Sequence, residues 1–251
     1  MIRVAAVGDL HIGDDACARW RDALEPVSDD ADLLLLAGDL TRVGTREEAA
    51  AVATALELVS IPIFAVLGNH DYHDGSEREL CRILAARGVH VLERSAASLQ
   101  IGRTRVGIAG SKGFGGGFAN ACGSDFGEPV MKAFIRHTAE LADGLRDALA
   151  SLDADLRIAL LHYSPIPATL RGEQLQIYPF LGSYLLGDAV DAVGADLVVH
   201  GHAHAGSERG TTPGGVHVRN VAQPVIRSAY RVYCLGGVGS VECAETAAAP
   251  S

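Results

Sequence analysis

The sequence has no C-x-x-C pair: its five cysteines, Cys17, Cys81, Cys122, Cys234 and Cys243, are odd in number and irregularly spaced. That argues against a zinc ribbon or a disulfide framework and points to reduced thiols in a cytoplasmic protein. Long apolar runs are missing too. The run Ile2–Val7 is too short for the core of a signal peptide and reaches Asp9 at once. No stretch approaches the roughly 18 apolar residues of a membrane span, so no membrane partner is expected. Excess positive charge is the third absence, with 21 Lys plus Arg against 31 Asp plus Glu and a formal net charge of −10. Such a balance disfavours an electrostatic wrap around nucleic acid or an anionic membrane, although bound dications would change the sign locally.

What the 251 residues do contain is enough apolar sequence, 48%, to bury a sizeable core in one domain. Five apolar runs each end in polar residues. Val4–Val7 leads to Gly8-Asp9-Leu10-His11, and Leu33–Ala37 to Gly38-Asp39. Ile61–Leu67 leads to Gly68-Asn69-His70-Asp71, Ile158–Leu161 to His162, and Leu197–Val199 to His200-Gly201-His202-Ala203-His204. A Gly followed by Asp is more often a turn or a helix cap than a site. Repetition at five strand ends weakens that reading, because ligands in open α/β sheets bind outside the carboxyl ends of the strands. Asp9 and His11, two residues apart on extended chain, project to the same side and can reach one ion together.

Between these runs the periodicity alternates strand and helix. Helical patterns span Ala16–Leu24, Thr45–Val59 with Thr45 as N-cap, and Glu77–Ala86, followed by a short strand at Val89–Leu92. This order predicts right-handed βαβ crossovers and a largely parallel sheet core. Ala97–Ile101 and Arg105–Ala109 then read as a hairpin around Gly102-Arg103. The longest helical pattern, Pro129–Leu152, and another at Ser183–Val193 complete the helices, and short strands are expected at Val216–Val221, Tyr230–Leu235 and Val238–Cys243. Two long irregular segments remain, 110–127, rich in glycine, and 163–182, punctuated by Pro165, Pro167 and Pro179. The first segment reads as an active-site flap or a mobile surface loop, and Tyr163, Arg171 and Tyr178 in the second read as ordinary loop packing ahead of the lining of a substrate pocket.

The strand ends together present Asp9, His11, Asp39, Asn69, His162, His202 and His204. Imidazole mixed with carboxylate and amide oxygen suits Mn, Fe, Zn, Co or Ni, whereas Mg or Ca alone would favour an oxygen-only shell. Seven donors exceed one tetrahedral ion and suit two ions sharing a carboxylate, with positions open for water and substrate.

The ordered series Asp9-x-His11, Gly38-Asp39, Gly68-Asn69-His70-Asp71, His162 and Gly201-His202-x-His204 resembles the calcineurin-like metallophosphoesterase superfamily over nearly the whole chain. Each motif is weak alone, and all five in order are specific. The resemblance implies an α/β fold, a four-layer α/β/β/α sandwich of two mixed β-sheets flanked by helices. We expect one such domain over residues 1–243, with a disordered tail at 244–251. It implies two divalent or mixed-valence transition-metal ions, Mn, Fe or Zn, with Asp9, His11 and His204 on the first and Asn69, His162 and His202 on the second. Asp39 would bridge them. It further implies that His70 faces the substrate without ligating metal, and that water activated by the ions attacks phosphorus directly.

One position departs from the family pattern: Arg42 stands where many members carry an acid three residues after the bridging Asp. His70 then needs Asp71 or a backbone carbonyl to orient it, or Arg42 contacts the phosphate itself. His200 reads as strand packing or a partner of the site, and His73, His90, His137 and His217 as surface or packing residues. A phosphoester hydrolase is favoured over a nuclease, which would want a basic face, and over a non-catalytic binding module, which would have lost His70 or several ligands. The expected partner is a small-molecule phosphoester. A phosphodiester, including a cyclic nucleotide, is preferred to a monoester, because the motif loops offer only Arg42 as a cationic clamp for a dianion.

Overall fold

The computed structural model describes residues 1–13, 15–236 and 242–244. The first sheet takes the strands β1 (Ile2–Val7), β2 (Leu33–Ala37), β3 (Ile63–Val66) and β4 (Val89–Val91), which pair in parallel. Between them run the helices α1 (Cys17–Leu24), α2 (Val27–Asp30), α3 (Arg46–Ala55) and α4 (Glu77–Ala86). Each crossover is therefore the βαβ unit that the alternating periodicity predicts. Two later strands, β13 (Arg231–Leu235) and β14 (Glu242–Ala244), extend this sheet antiparallel beyond β1, making it mixed and six-stranded.

The second sheet begins with β5 (Ser95–Ile101) and β6 (Thr104–Ser111), an antiparallel hairpin. After the small hairpin β7 (Gly117–Phe118) and β8 (Ala121–Cys122) comes the long helix α5 (Pro129–Ala150), then β9 (Leu156–Leu161), parallel to β6. The short α6 (Tyr178–Leu181) and α7 (Tyr184–Val193) lead to β10 (Leu197–His200). The strands β11 (Arg209–Thr211) and β12 (His217–Asn220) and the one-turn helix α8 (Gln223–Ile226) follow. This sheet, ordered β11-β12-β10-β9-β6-β5, is also mixed and six-stranded.

Side-chain alternation stacks the layers. In β9, Ile158 and Leu160 join the core between the sheets, while Ala159 and Leu161 join a second core under α5 and α7. Trp20 and Leu24 of α1, Val52 of α3 and Leu80 and Leu84 of α4 cover the other side of the first sheet. All five residues of β2 are buried, as a strand covered on both faces requires. The expected four-layer sandwich of two mixed sheets is thus the architecture found.

Several boundaries shift for tertiary reasons. Helix α3 starts at the expected cap, with Thr45 Oγ1 accepting the Glu48 N–H at 3.2 Å. It ends at Ala55, short of Val59, and the Arg87 guanidinium takes the carbonyls of Leu56 and Val59. The segments 110–127 and 163–182 are not independent loops: Gly116 N–H donates to Pro179 O at 2.6 Å and Gly117 N–H to Gly182 O at 2.9 Å. The strand expected near Val238–Cys243 falls partly, and the tail from 245 wholly, outside the described residues. Among the described residues, no helix is long and apolar enough to cross a membrane.

Candidate metal centre

The carboxyl ends of β1, β2 and β3 deliver Asp9, Asp39 and Asn69, and those of β9 and β10 deliver His162 and the His202–His204 turn. Delivery needs an unusual backbone. Asp9, His11, Asp39 and His202 all have positive φ, 60°, 46°, 51° and 70°, a region non-glycine residues rarely occupy and one that concentrates at functional sites. The close approach of the rims also depends on glycine. A Cβ on Gly68 would lie 2.0 Å from Asp39 Oδ1, and one on Gly38, at φ 82°, 2.5 Å from His162 Nδ1.

Hydrogen bonds then set the donor atoms. Asp9 is buried and its carboxylate accepts the His202 N–H at 2.9 Å, while His204 Nε2 lies 2.9 Å from Asp9 Oδ1. Burial works to raise the Asp9 pKa, but the His204 hydrogen bond and the neighbouring imidazoles prevail and hold it below the ordinary value. The same hydrogen bond raises His204. Burial, followed by the charge of His162, pushes His202 down to about 3, and burial also lowers His11, so both stay neutral near neutrality. His162 Nδ1 stands 2.8 Å from the carbonyl of Ala37, which can only accept, so Nδ1 carries the proton. In the neutral ring the bare Nε2 then faces Asn69 Oδ1 at 3.0 Å and Asp39 Oδ1 at 3.4 Å.

Three groups of donor atoms converge within 4.8 Å of one another: Asp9, His11 and His204; Asp39, His162 and His202; and His11, Asp39 and His70. Asn69 joins the second through His162. The fold therefore brings together all seven residues that the sequence singles out, and places His70 beside them. The donor set fits a cation. The bare His162 Nε2 and the oxygens of Asn69 and Asp39 face each other with no proton between them, an arrangement that a positive ion resolves.

The model of the calcineurin-like phosphoesterase family matches residues 2–206. The chain belongs to this family. Among solved structures, similarity extends to a phosphopantetheinyl hydrolase from Mycobacterium tuberculosis, 15% identical, with a TM-score of 0.68 over 95% of this chain and 98% of that one. It extends also to GAP50, the anchor in the inner membrane complex of Plasmodium, at 13% identity and a TM-score of 0.59 over 98% and 89% of the two chains. A third, TT1561 of Thermus thermophilus, is 18% identical with a TM-score of 0.55 over 92% and 93%. No curated protein matches. These likenesses are to the fold, which in this calcineurin-like phosphoesterase carries the donor set just described.

His70 Nδ1 sits 2.7 Å from the carbonyl oxygen of Arg42, so a backbone carbonyl, not Asp71, orients the ring. The Arg42 guanidinium pairs with Asp15 at 2.8 Å and is half-exposed, so its charge is engaged by a surface carboxylate. Asp71 has a different task. Fully buried, it accepts the N–H groups of Leu40, Thr41 and Gly68 and the Thr41 hydroxyl, tying the loop after β2 to the loop after β3. Burial and the charge of Asp39 raise its pKa. His200, also fully buried, stands 2.7 Å from its neighbour's Gly201 carbonyl and 2.8 Å from Thr169 Oγ1. Burial pushes it down to about 4.

One cavity reaches the centre and a second lies beyond Phe180. One, of about 440 Å³, opens beside Asn69 between Tyr72, Lys112, Phe114 and His137. The other, about 690 Å³ and mainly apolar, lies between the β7–β8 hairpin, the first turns of α5 and Phe180, whose carbonyl is 3.2 Å from His202 Nε2. Tyr163 packs against both ligand rings, its centroid 4.3 Å from His202 and 5.5 Å from His162. Lys112 was not evident in the sequence. Reading β6 as half of a hairpin hides its parallel pairing with β9, which sets Lys112 against His162, whose N–H donates to the Lys112 carbonyl at 3.1 Å.

Proposed function

We propose that this protein is a metal-dependent phosphoester hydrolase holding two transition-metal ions, with Asp9, His11 and His204 on one, Asn69, His162 and His202 on the other, and Asp39 shared. The observation that carries the reading is that in each of the three donor groups the ligand atoms lie within 4.8 Å of one another, with Asp39 and His11 each common to two of the groups. When bound, such ions supply positive charge for the phosphoryl oxygens and acidify a coordinated water. Everything else falls to the chain. Asp9, buried and held by the His202 N–H, presents a fixed anion, and neutral His11 and His202 present lone pairs. His70 has its Nδ1 committed to the Arg42 carbonyl, which leaves Nε2 to hold or deliver a proton at the leaving oxygen. The strands β11, β12 and β13 beyond residue 206 complete the same two sheets, which supports residues 1–243 as one unit.

The substrate we favour is a small phosphodiester. The argument from scarce cations lapses, because Lys112 lies beside the centre; the reading rests instead on the two cavities. One is lined by Asn69 and the other by Phe180, whose carbonyl meets His202 Nε2 at 3.2 Å, and together they offer an organic group a place on either side of a phosphorus. Two measurements test this. Elemental analysis after reconstitution with Mn, Fe or Zn should give two ions per chain, and no more than one would sink the paired centre. With Mn, kcat/KM for bis-p-nitrophenyl phosphate should exceed that for p-nitrophenyl phosphate; the reverse order would make the enzyme a phosphomonoesterase.

A further inference from the structure

One lysine and one arginine among the described residues are buried, and they differ in their surroundings. Arg219 donates to the Val218 carbonyl and lies over Tyr233. Lys112 Nζ is ringed by aromatic faces instead, 4.7 Å from the centroid of Phe114, 5.1 Å from Tyr72 and 5.3 Å from Tyr163. Cation–π contact stabilises a desolvated ammonium but satisfies none of its three N–H donors. Among the described residues no acceptor hydrogen-bonds to Nζ and no carboxylate pairs with it. The charges of Glu93 and Asp39 act on it, but Glu93 spends its oxygens on the Ser111 hydroxyl at 3.2 Å and the Lys112 backbone N–H at 3.1 Å, and Asp39 accepts the His70 N–H at 2.9 Å. A buried charged donor without a partner in a native fold calls for a ligand.

The position says which kind. Lys112 lines the cavity beside Asn69. The Tyr163 ring touches the ammonium as well as the His162 and His202 rings, and the charge of Asp39 also reaches Lys112. The ammonium thus stands on the cavity side of the centre, where it can meet a second group on the same molecule. The aromatic walls would cover the atoms in between. We infer that Lys112 is a specificity-determining residue that binds a second anionic group, a phosphate or its equivalent, on the arm of the substrate lying in the Asn69-side cavity. The substrate class is then a phosphoester carrying another anion on that arm. This inference rests on the hydrolase reading above for the word substrate, and its test does not need turnover.

Titration calorimetry on the Mn-loaded full chain would compare propane-1,3-diphosphonate with propylphosphonate, two non-hydrolysable probes that differ by one anionic group. A second charge-assisted hydrogen bond should make the diphosphonate bind about ten-fold tighter or more. Lys112→Met should erase that gap without changing metal content or propylphosphonate affinity, and Lys112→Arg should keep most of it. If Lys112→Met does not fold, Lys112→Gln takes its place. Equal binding of the two probes by the native protein overturns the inference, whatever the variants do. So does a gap that survives removal of the ammonium. Failure of the native protein to turn over any ester would overturn the hydrolase reading and leave this binding comparison standing on its own.

Discussion

At the rim of the first sheet, Asp9, Asp39 and Asp71 are only 3%, 1% and 0% exposed and are stitched to backbone N–H groups of neighbouring loops. At the rim of the second, the segments after β6 and β9 are looser in chemistry, with aromatic and apolar side chains around two cavities and Phe180 61% exposed. The first rim holds fixed negative charge, and its left-handed residues and buried acids cost stability that the hydrogen bonds must offset. The second supplies imidazoles and space. A centre built this way divides its labour: changes at the first rim should act on assembly and rate, and changes around the cavities on which molecule is accepted.

The largest effect should come from Asp39→Ala. Asp39 shares two donor groups and also receives the His70 N–H at 2.9 Å, so its loss should empty the centre of metal and reduce activity to background. Retention of both ions by this variant would break the bridging assignment. His70→Ala comes next. Metal content should be unchanged while kcat falls by roughly 10²- to 10⁴-fold, the usual range for a lost general acid or base. Parallel loss of metal would instead make His70 a ligand, which its closeness to His11 and Asp39 makes a real contest.

Asp71→Asn separates scaffold from chemistry. An amide cannot accept as the carboxylate does from Leu40, Thr41 and Gly68, and it turns an NH₂ toward N–H donors. Urea unfolding of the metal-free protein should show about 1–3 kcal/mol of lost stability, as for other broken buried hydrogen bonds. An unchanged midpoint would mean the two motif loops are held by something other than Asp71. The smallest effect should be Arg42→Ala, because the ion pair with Asp15 is exposed and the bond to His70 is made by the backbone. Stability should move by less than about 1 kcal/mol and kcat/KM hardly at all. A large fall in kcat/KM would return the guanidinium to the substrate site.

The sequence by itself determined the strands, the crossovers and the residues at their ends. Apolar runs stopped by Gly-Asp, Gly-Asn-His and Gly-His-x-His are local signals, and their chain order is enough to resemble one family. Sheet membership at the rim was beyond it. Lys112 lies in a segment that sequence alone reads as a glycine-rich flap, and it becomes part of the site only because β6 pairs in parallel with β9. The carbonyl that orients His70 belongs to Arg42, 28 positions away, and carbonyls carry no sequence signature. Asp71 is legible as part of a motif but not as a clamp, since its partners Leu40 and Thr41 offer only backbone and a hydroxyl from another strand's loop. Periodicity reports which face of an element is apolar. It is silent on which strands become neighbours and on which backbone groups a buried side chain will meet, and those long-range pairings are what the tertiary structure decided.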